Sequence, residues 1–219
     1  GLGDVYKRQK WRGTVSTFYG VGFTIAQQGF ALLAAQFLGN VKFGIYVMAS
    51  MTVVLAIIHV LLINEKSNLD EPKIKLDKES LKKYFFFPTH DARDFYLALS
   101  GKFLMVVGST IVTTFLLFIF TDYIGQSTKQ AGGSISVFST IMLVIGVFFA
   151  LVGGPLADKM KRVKGPVVIA TFALAVAALF PLFVKEAWAM FAYAVIAAFG
   201  NGLYNSVDGA LNMDVLPSS

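Results

Sequence analysis

The chain has 219 residues, 56% of them hydrophobic and 15% charged, with 19 Lys plus Arg against 13 Asp plus Glu and a formal net charge of +6. Soluble domains run at about 45–50% apolar and about 25% charged, so this composition, with a mean hydropathy of +0.66, excludes a soluble globule and points to a lipid solvent. The absence of Cys excludes a disulfide scaffold, a thiolate metal site and a thiol nucleophile, and the cations lie between apolar stretches rather than in one basic patch, which argues against a nucleic-acid partner.

The first residues, Gly1-Leu2-Gly3-Asp4-Val5-Tyr6-Lys7-Arg8-Gln9, read as a translated adapter scar and are set aside from fold reasoning. The rest is expected to be an internal fragment of a longer chain. A spanning helix needs about 20 mostly apolar residues, because a rise of about 1.5 Å each then crosses a hydrocarbon core of about 30 Å. Six stretches meet that length: about 14–37, 43–63, 97–121, 133–154, 166–184 and 187–211. The fold class expected is an all-α integral membrane protein with six transmembrane helices. The first, fourth and sixth stretches are rich in Gly and Ala, which lets helix backbones approach closely in lipid. Pro166 stands where a first-turn proline is tolerated.

Cytoplasmic loops collect Lys and Arg. Lys10 and Arg12 precede the first span, Lys42 alone follows it, and the segment after the second carries Lys66, Lys73, Lys75, Lys78, Lys82, Lys83 and Arg93. Lys129 alone follows the third; Lys159, Lys161, Arg162 and Lys164 follow the fourth; Lys185 alone follows the fifth. Rich and poor segments alternate, so both ends of the chain, the 64–96 segment and the 155–165 segment are expected on the cytoplasmic side of a multi-pass protein of the plasma (inner) membrane. Within the long segment, 77–87 reads either as an amphipathic helix on the membrane surface or as a solvated linker.

No His-Glu-x-x-His, nucleophile elbow, phosphate-binding glycine loop or Asp-rich metal pair on a helix is present, so neither an enzyme nor a metal or cofactor is expected, and His59 reads as a packed or interfacial residue. Ionisable groups inside a span default to function. Asp208 is one, and Asn201, Asn205, Asp208 and Asn212, spaced four, three and four apart, share a helix face with Tyr204 nearby. That face reads as a substrate path, a gate, or a polar seam between helices. Gln27, Gln28 and Gln36 give the first span a polar stripe, open between pathway and packing. Asp122 is expected at the outer interface. The sharpest signal is Gly154-Pro155-Leu156-Ala157-Asp158-Lys159-Met160-Lys161-Arg162, an acid at a helix end followed by cations, which suits either a latch between neighbouring helices or a plain positive-inside loop.

That run resembles the signature loop of the major facilitator superfamily, with Gly154, Leu156, Ala157, Asp158, Lys159 and Arg162 matching in kind, and Lys161 and Val163 departing from it. Arg12-Gly13 resembles the opening of the family's fifth helix, Asp94 through Met105 that of its seventh, and Tyr204 through Pro217 the end of its tenth. The resemblance implies helices five to ten of a twelve-helix, two-bundle transporter: residues 10–63 close the first bundle, 64–96 link the bundles, and 97–219 open the second. It implies a secondary active transporter working by alternating access, with a small solute, H⁺ or Na⁺, the lipid bilayer and the missing helices of the same chain as partners. It also implies that Gly154, Leu156, Asp158, Lys159 and Arg162 form a cytoplasmic gate. Asp208 is then a candidate coupling carboxylate, with a gate or packing role equally open. The alternative is a six-helix channel or permease subunit that needs a partner.

Overall fold

Lipid offers no partner for a bare peptide group, so each spanning segment must satisfy its backbone internally as a helix. In the computed structural model, which describes residues 12–62, 92–160 and 164–214 with side chains at 17–62, 92–156, 159 and 165–208, six long helices do so. They are α1 Arg12–Gln36, α2 Val41–Leu62, α3 Arg93–Thr114, α4 Thr128–Met160, α5 Lys164–Phe183 and α6 Ala187–Asp214. Each contains a stretch long and apolar enough to cross a bilayer, and no strand occurs among the described residues.

The helix limits are set by local chemistry. Asn40 opens α2, its Oδ1 accepting from the Phe43 N–H at 3.2 Å. The third span is not one helix to Thr121 as expected: α3 ends at Thr114, and a short turn, Leu116–Phe118, leads into a π-helical turn, Ile119–Tyr123. The Thr113 hydroxyl donates to the carbonyls of Ser109 and Thr110, both at 3.1 Å, a back-bonding that bends helices. Gly125 then reverses the chain at φ +86°, where an L side chain is disfavoured. The next helix starts earlier than Gly133 because Ser127 and Gln130 cap each other: Ser127 N–H donates to Gln130 Oε1 at 3.1 Å, and Gln130 N–H to Ser127 Oγ at 3.4 Å.

Four helices form the packed body. α6 lies against α4, α5 and α1, and α1 also lies along α4. Small residues set these crossings. A Cβ on Gly202 would collide with the Gly146 carbonyl oxygen and lie 3.1 Å from Ala150 N; one on Gly153 would collide with Ser206 Oγ. A Cβ on Gly200 would meet the Ala170 carbonyl oxygen of α5 at 2.9 Å, and one on Gly20 would meet the Asn205 backbone of α6 at 2.9 Å. At the opposite end of α1, a Cβ on Gly132 would lie 3.4 Å from the Ala35 carbonyl oxygen, and Gln36 Nε2 donates to Ser136 Oγ at 3.2 Å. Between these crossings the interior is filled by Phe120, Phe138, Met190, Ala194, Ala197 and Ala198, with the Phe138 and Tyr193 rings stacked at 6.1 Å.

The other two helices are loosely attached. Gly44, against Phe37, is the buried residue of α2, and His59 is exposed there rather than packed. α3 has no buried residue and leaves an apolar gap of about 350 Å³ towards α5, lined by Leu104, Val112, Leu174 and Ala178 among others. The α3 extension is tied across to α5 by the Tyr123 hydroxyl, which donates to the Pro181 carbonyl at 2.9 Å, with Lys185 Nζ 4.9 Å above the Tyr123 ring. Asp122 accepts from the adjacent Thr121 hydroxyl at 2.8 Å. The 1–9 and 77–87 readings and His90 lie outside the described residues, as does nearly all of the 64–96 segment.

The crossing of α4 and α6 is testable. Gly202→Val places atoms against backbone that cannot yield, and overpacking costs about 1–3 kcal/mol. We expect a lower melting temperature and loss of monodispersity in detergent, whereas Gly22→Ala, with nothing within 4 Å of its Cβ, leaves both unchanged. Equal behaviour of the two variants would rule out the close crossing as a determinant of the fold.

Candidate functional site

A polar face on a spanning helix must find polar company or water. On α6 that face is Asn201, Tyr204, Asn205 and Asp208, and all four line one cavity of about 210 Å³. α1 contributes Gln27, Gln28, Tyr19 and Phe23 to the same cavity; α3 contributes Lys102, Met105, Val106, Ser109, Thr110 and Thr113; α4 contributes Phe138 and Met142; and Tyr193 of α6 completes the lining. Six of the residues singled out on the first and sixth spans, Gln27, Gln28, Asn201, Tyr204, Asn205 and Asp208, therefore come together, while the Asn212 side chain lies outside the described residues. Gln28 is buried and its Nε2 donates to Gln27 Oε1 at 3.5 Å. Gln36 parts from this stripe: it bonds Ser136 and belongs to packing.

The charge in the cavity is a pair. Lys102 Nζ donates to Asp208 Oδ2 at 2.7 Å, bridging α3 to α6, the length of a charge-assisted hydrogen bond. The Asp208 side chain is 18% exposed and that of Lys102 36%. Asp208 Oδ1 is buried and has no hydrogen-bond partner among the described residues, while the Tyr204 phenol one turn earlier lies close enough to feel the carboxylate. This contact was not found from the sequence, in which Lys102 stands inside the third span. The available signal was a lone lysine in one apolar span and a lone aspartate in another, since each is costly in lipid without the other.

The signature run is differently built from the loop expected. α4 does not stop near Gly154 but continues to Met160, so Gly154, Leu156 and Lys159 stand on its last turns. Pro155 lacks the N–H that would bond one turn back, yet the helix passes through it. Gly154 is buried, while Leu156 and Lys159 are exposed. The Asp158 side chain and all of Arg162 lie outside the described residues.

The profile described as Major Facilitator Superfamily matches residues 2–219. The chain belongs to the major facilitator superfamily. No curated protein and no solved structure matches it. This superfamily member is thus a multi-pass membrane transporter that carries a small solute across a lipid bilayer, and not an enzyme. No group of His, Asp or Glu among its described residues is arranged to hold a metal ion.

In this transporter the Lys102–Asp208 pair can be weighed by a double-mutant cycle. Removing Lys102 alone leaves Asp208 partly buried and uncompensated; removing both charges does not. We expect Lys102→Met and Asp208→Asn to lower thermal stability singly by more than the double variant allows for additivity, with a coupling of about 1 kcal/mol given the exposure of Lys102. Strict additivity would mean that the pair is not formed in the membrane.

Proposed function

We propose that residues 10–219 supply helices five to ten of a twelve-helix secondary active transporter, with residues 10–63 closing one six-helix bundle, 64–96 as the linker and 97–219 opening the other. The observation that carries this reading is the position of the cavity. Its walls come from α1 on one side and from α3, α4 and α6 on the other, so on this division it lies between the two bundles, where a central solute site belongs in rocking-bundle transport. The nearly unburied α2 suits contact with lipid and with further helices of the complete protein.

Asn201, Tyr204, Asn205, Gln27 and Gln28 contact the solute in this reading. Asp208 is the carboxylate through which H⁺ or a small cation enters the cycle, because neutralising or occupying it releases Lys102 and with it α3, a helix otherwise loosely held. Gly154, Leu156, Asp158, Lys159 and Arg162 gate the cytoplasmic side of the plasma membrane, the side to which the starts of α1, α3 and α5 and the ends of α2, α4 and α6 are assigned by the distribution of Lys and Arg.

Two measurements test this. In the complete protein, Lys159→Cys should react with a membrane-impermeant maleimide only from the cytoplasmic face; reaction only from outside inverts the topology and removes the gate assignment. In proteoliposomes, Asp208→Asn should lower saturable uptake of a solute found by screening at least about tenfold, the loss of roughly 1.4 kcal/mol. Uptake equal to wild type at equal reconstitution would remove Asp208 from the cycle.

A further inference from the structure

We propose that the solute is an organic cation, and that the Lys102 ammonium is a tethered stand-in that occupies its place when the cavity is empty. This rests on the reading of the cavity as the solute site. Among the described residues the cavity holds one positive and one negative side chain, Lys102 and Asp208, and the other lining residues are neutral. The two charges are not equivalent. Asp208 is the more buried, and its Oδ1 has no hydrogen-bond partner among the described residues, whereas Lys102 is twice as exposed and stands on a long flexible stem.

Solutes of opposite sign meet opposite consequences. A cation that takes Asp208 displaces an ammonium able to swing towards water, and no buried charge is left alone. An anion that takes Lys102 leaves the partly buried Asp208 without its cation, the costly outcome for a broken ion pair. The rest of the lining favours the same sign. The Tyr19, Phe23, Phe138, Tyr193 and Tyr204 rings border the cavity, and aromatic faces attract cations. α3, which carries Lys102, has no buried residue to hold it in place, so withdrawal of the lysine needs no repacking of a core.

The competition has a measurable sign. A ligand that binds only when Lys102 is off Asp208 has its affinity reduced by the fraction of time the site is free. Removing the lysine therefore tightens binding of a cation, where loss of an ordinary contact would weaken it.

The chain is free of Cys, so in the complete protein, with any Cys outside this chain replaced, Thr110→Cys reports on the cavity it lines through its rate of reaction with a water-soluble maleimide. Three probes share one ring and differ in charge: phenethylamine, phenylacetate and 2-phenylethanol. We expect phenethylamine to slow labelling and the other two to leave it unchanged at equal concentration. Lys102→Met should lower the half-protecting concentration of phenethylamine about tenfold. The double variant Lys102→Met with Asp208→Asn, which leaves no unpaired charge, should still label but lose the protection. Protection by phenylacetate, equal protection by the alcohol, no protection by phenethylamine, or protection that survives the double variant each overturns the cationic assignment while leaving the transport cavity standing. A Thr110→Cys that does not label, beside a Lys159→Cys that does, instead sinks the cavity reading and this proposal with it. If Lys102→Met fails to fold, wild type against the double variant still decides.

Discussion

The structure depends on how closely α6 approaches its neighbours. In lipid there is no hydrophobic drive to bring two apolar helices together, so association rests on close packing and on polar contacts. α6 meets this with small residues aimed in several directions: Gly202 against the α4 backbone, Gly200 against α5, and Asn205 at the level where Gly20 of α1 comes in. Gly146 and Gly153 answer from α4. One helix thereby becomes the axis around which α1, α4 and α5 are arranged.

That arrangement decides where the polar face of α6 can go. With Gly200 and Gly202 committed to backbone contacts, Asn201, Tyr204, Asn205 and Asp208 are left to border the space between α1 and α3. A lipid-facing carboxylate would be costly, and here it is met by Lys102 at 2.7 Å. The packed side of α6 and its wet side are thus two consequences of one residue order. α3 forms the far wall without contributing a buried residue, so the cavity has one firm side and one loosely held side, joined by an ion pair. A wall of that kind suits a protein of the major facilitator superfamily, whose work is to move solute.

The places where the helices depart from expectation have local causes. The break after Thr114 coincides with the Thr113 hydroxyl bonding back to both Ser109 and Thr110, and the early start of α4 follows from the reciprocal Ser127–Gln130 cap. Both signals were in the sequence, but length and hydropathy alone smooth over them. The run through Pro155 is different in kind. Gly154-Pro155 reads as a helix stop, yet the preceding turns are pinned to α6 through Gly146, Ala150 and Gly153, and the helix carries on to Met160.

By itself the sequence determined the number and approximate extent of the spanning helices and the small-residue character of the first, fourth and sixth, because these follow from composition and spacing within about 20 residues of chain, and it offered the family through the resemblance of the 154–162 run to a known signature loop. It also grouped Asn201, Asn205 and Asp208 on one face, since helical geometry makes that a local property. Only the tertiary structure decided that Gln27 and Gln28 share a cavity with that face while Gln36 does not, and that Lys102 reaches Asp208 across 106 positions. Those are relations between helices. Their rotation and depth are set by which glycines let which backbones touch, a choice among many equally apolar faces that no single segment specifies.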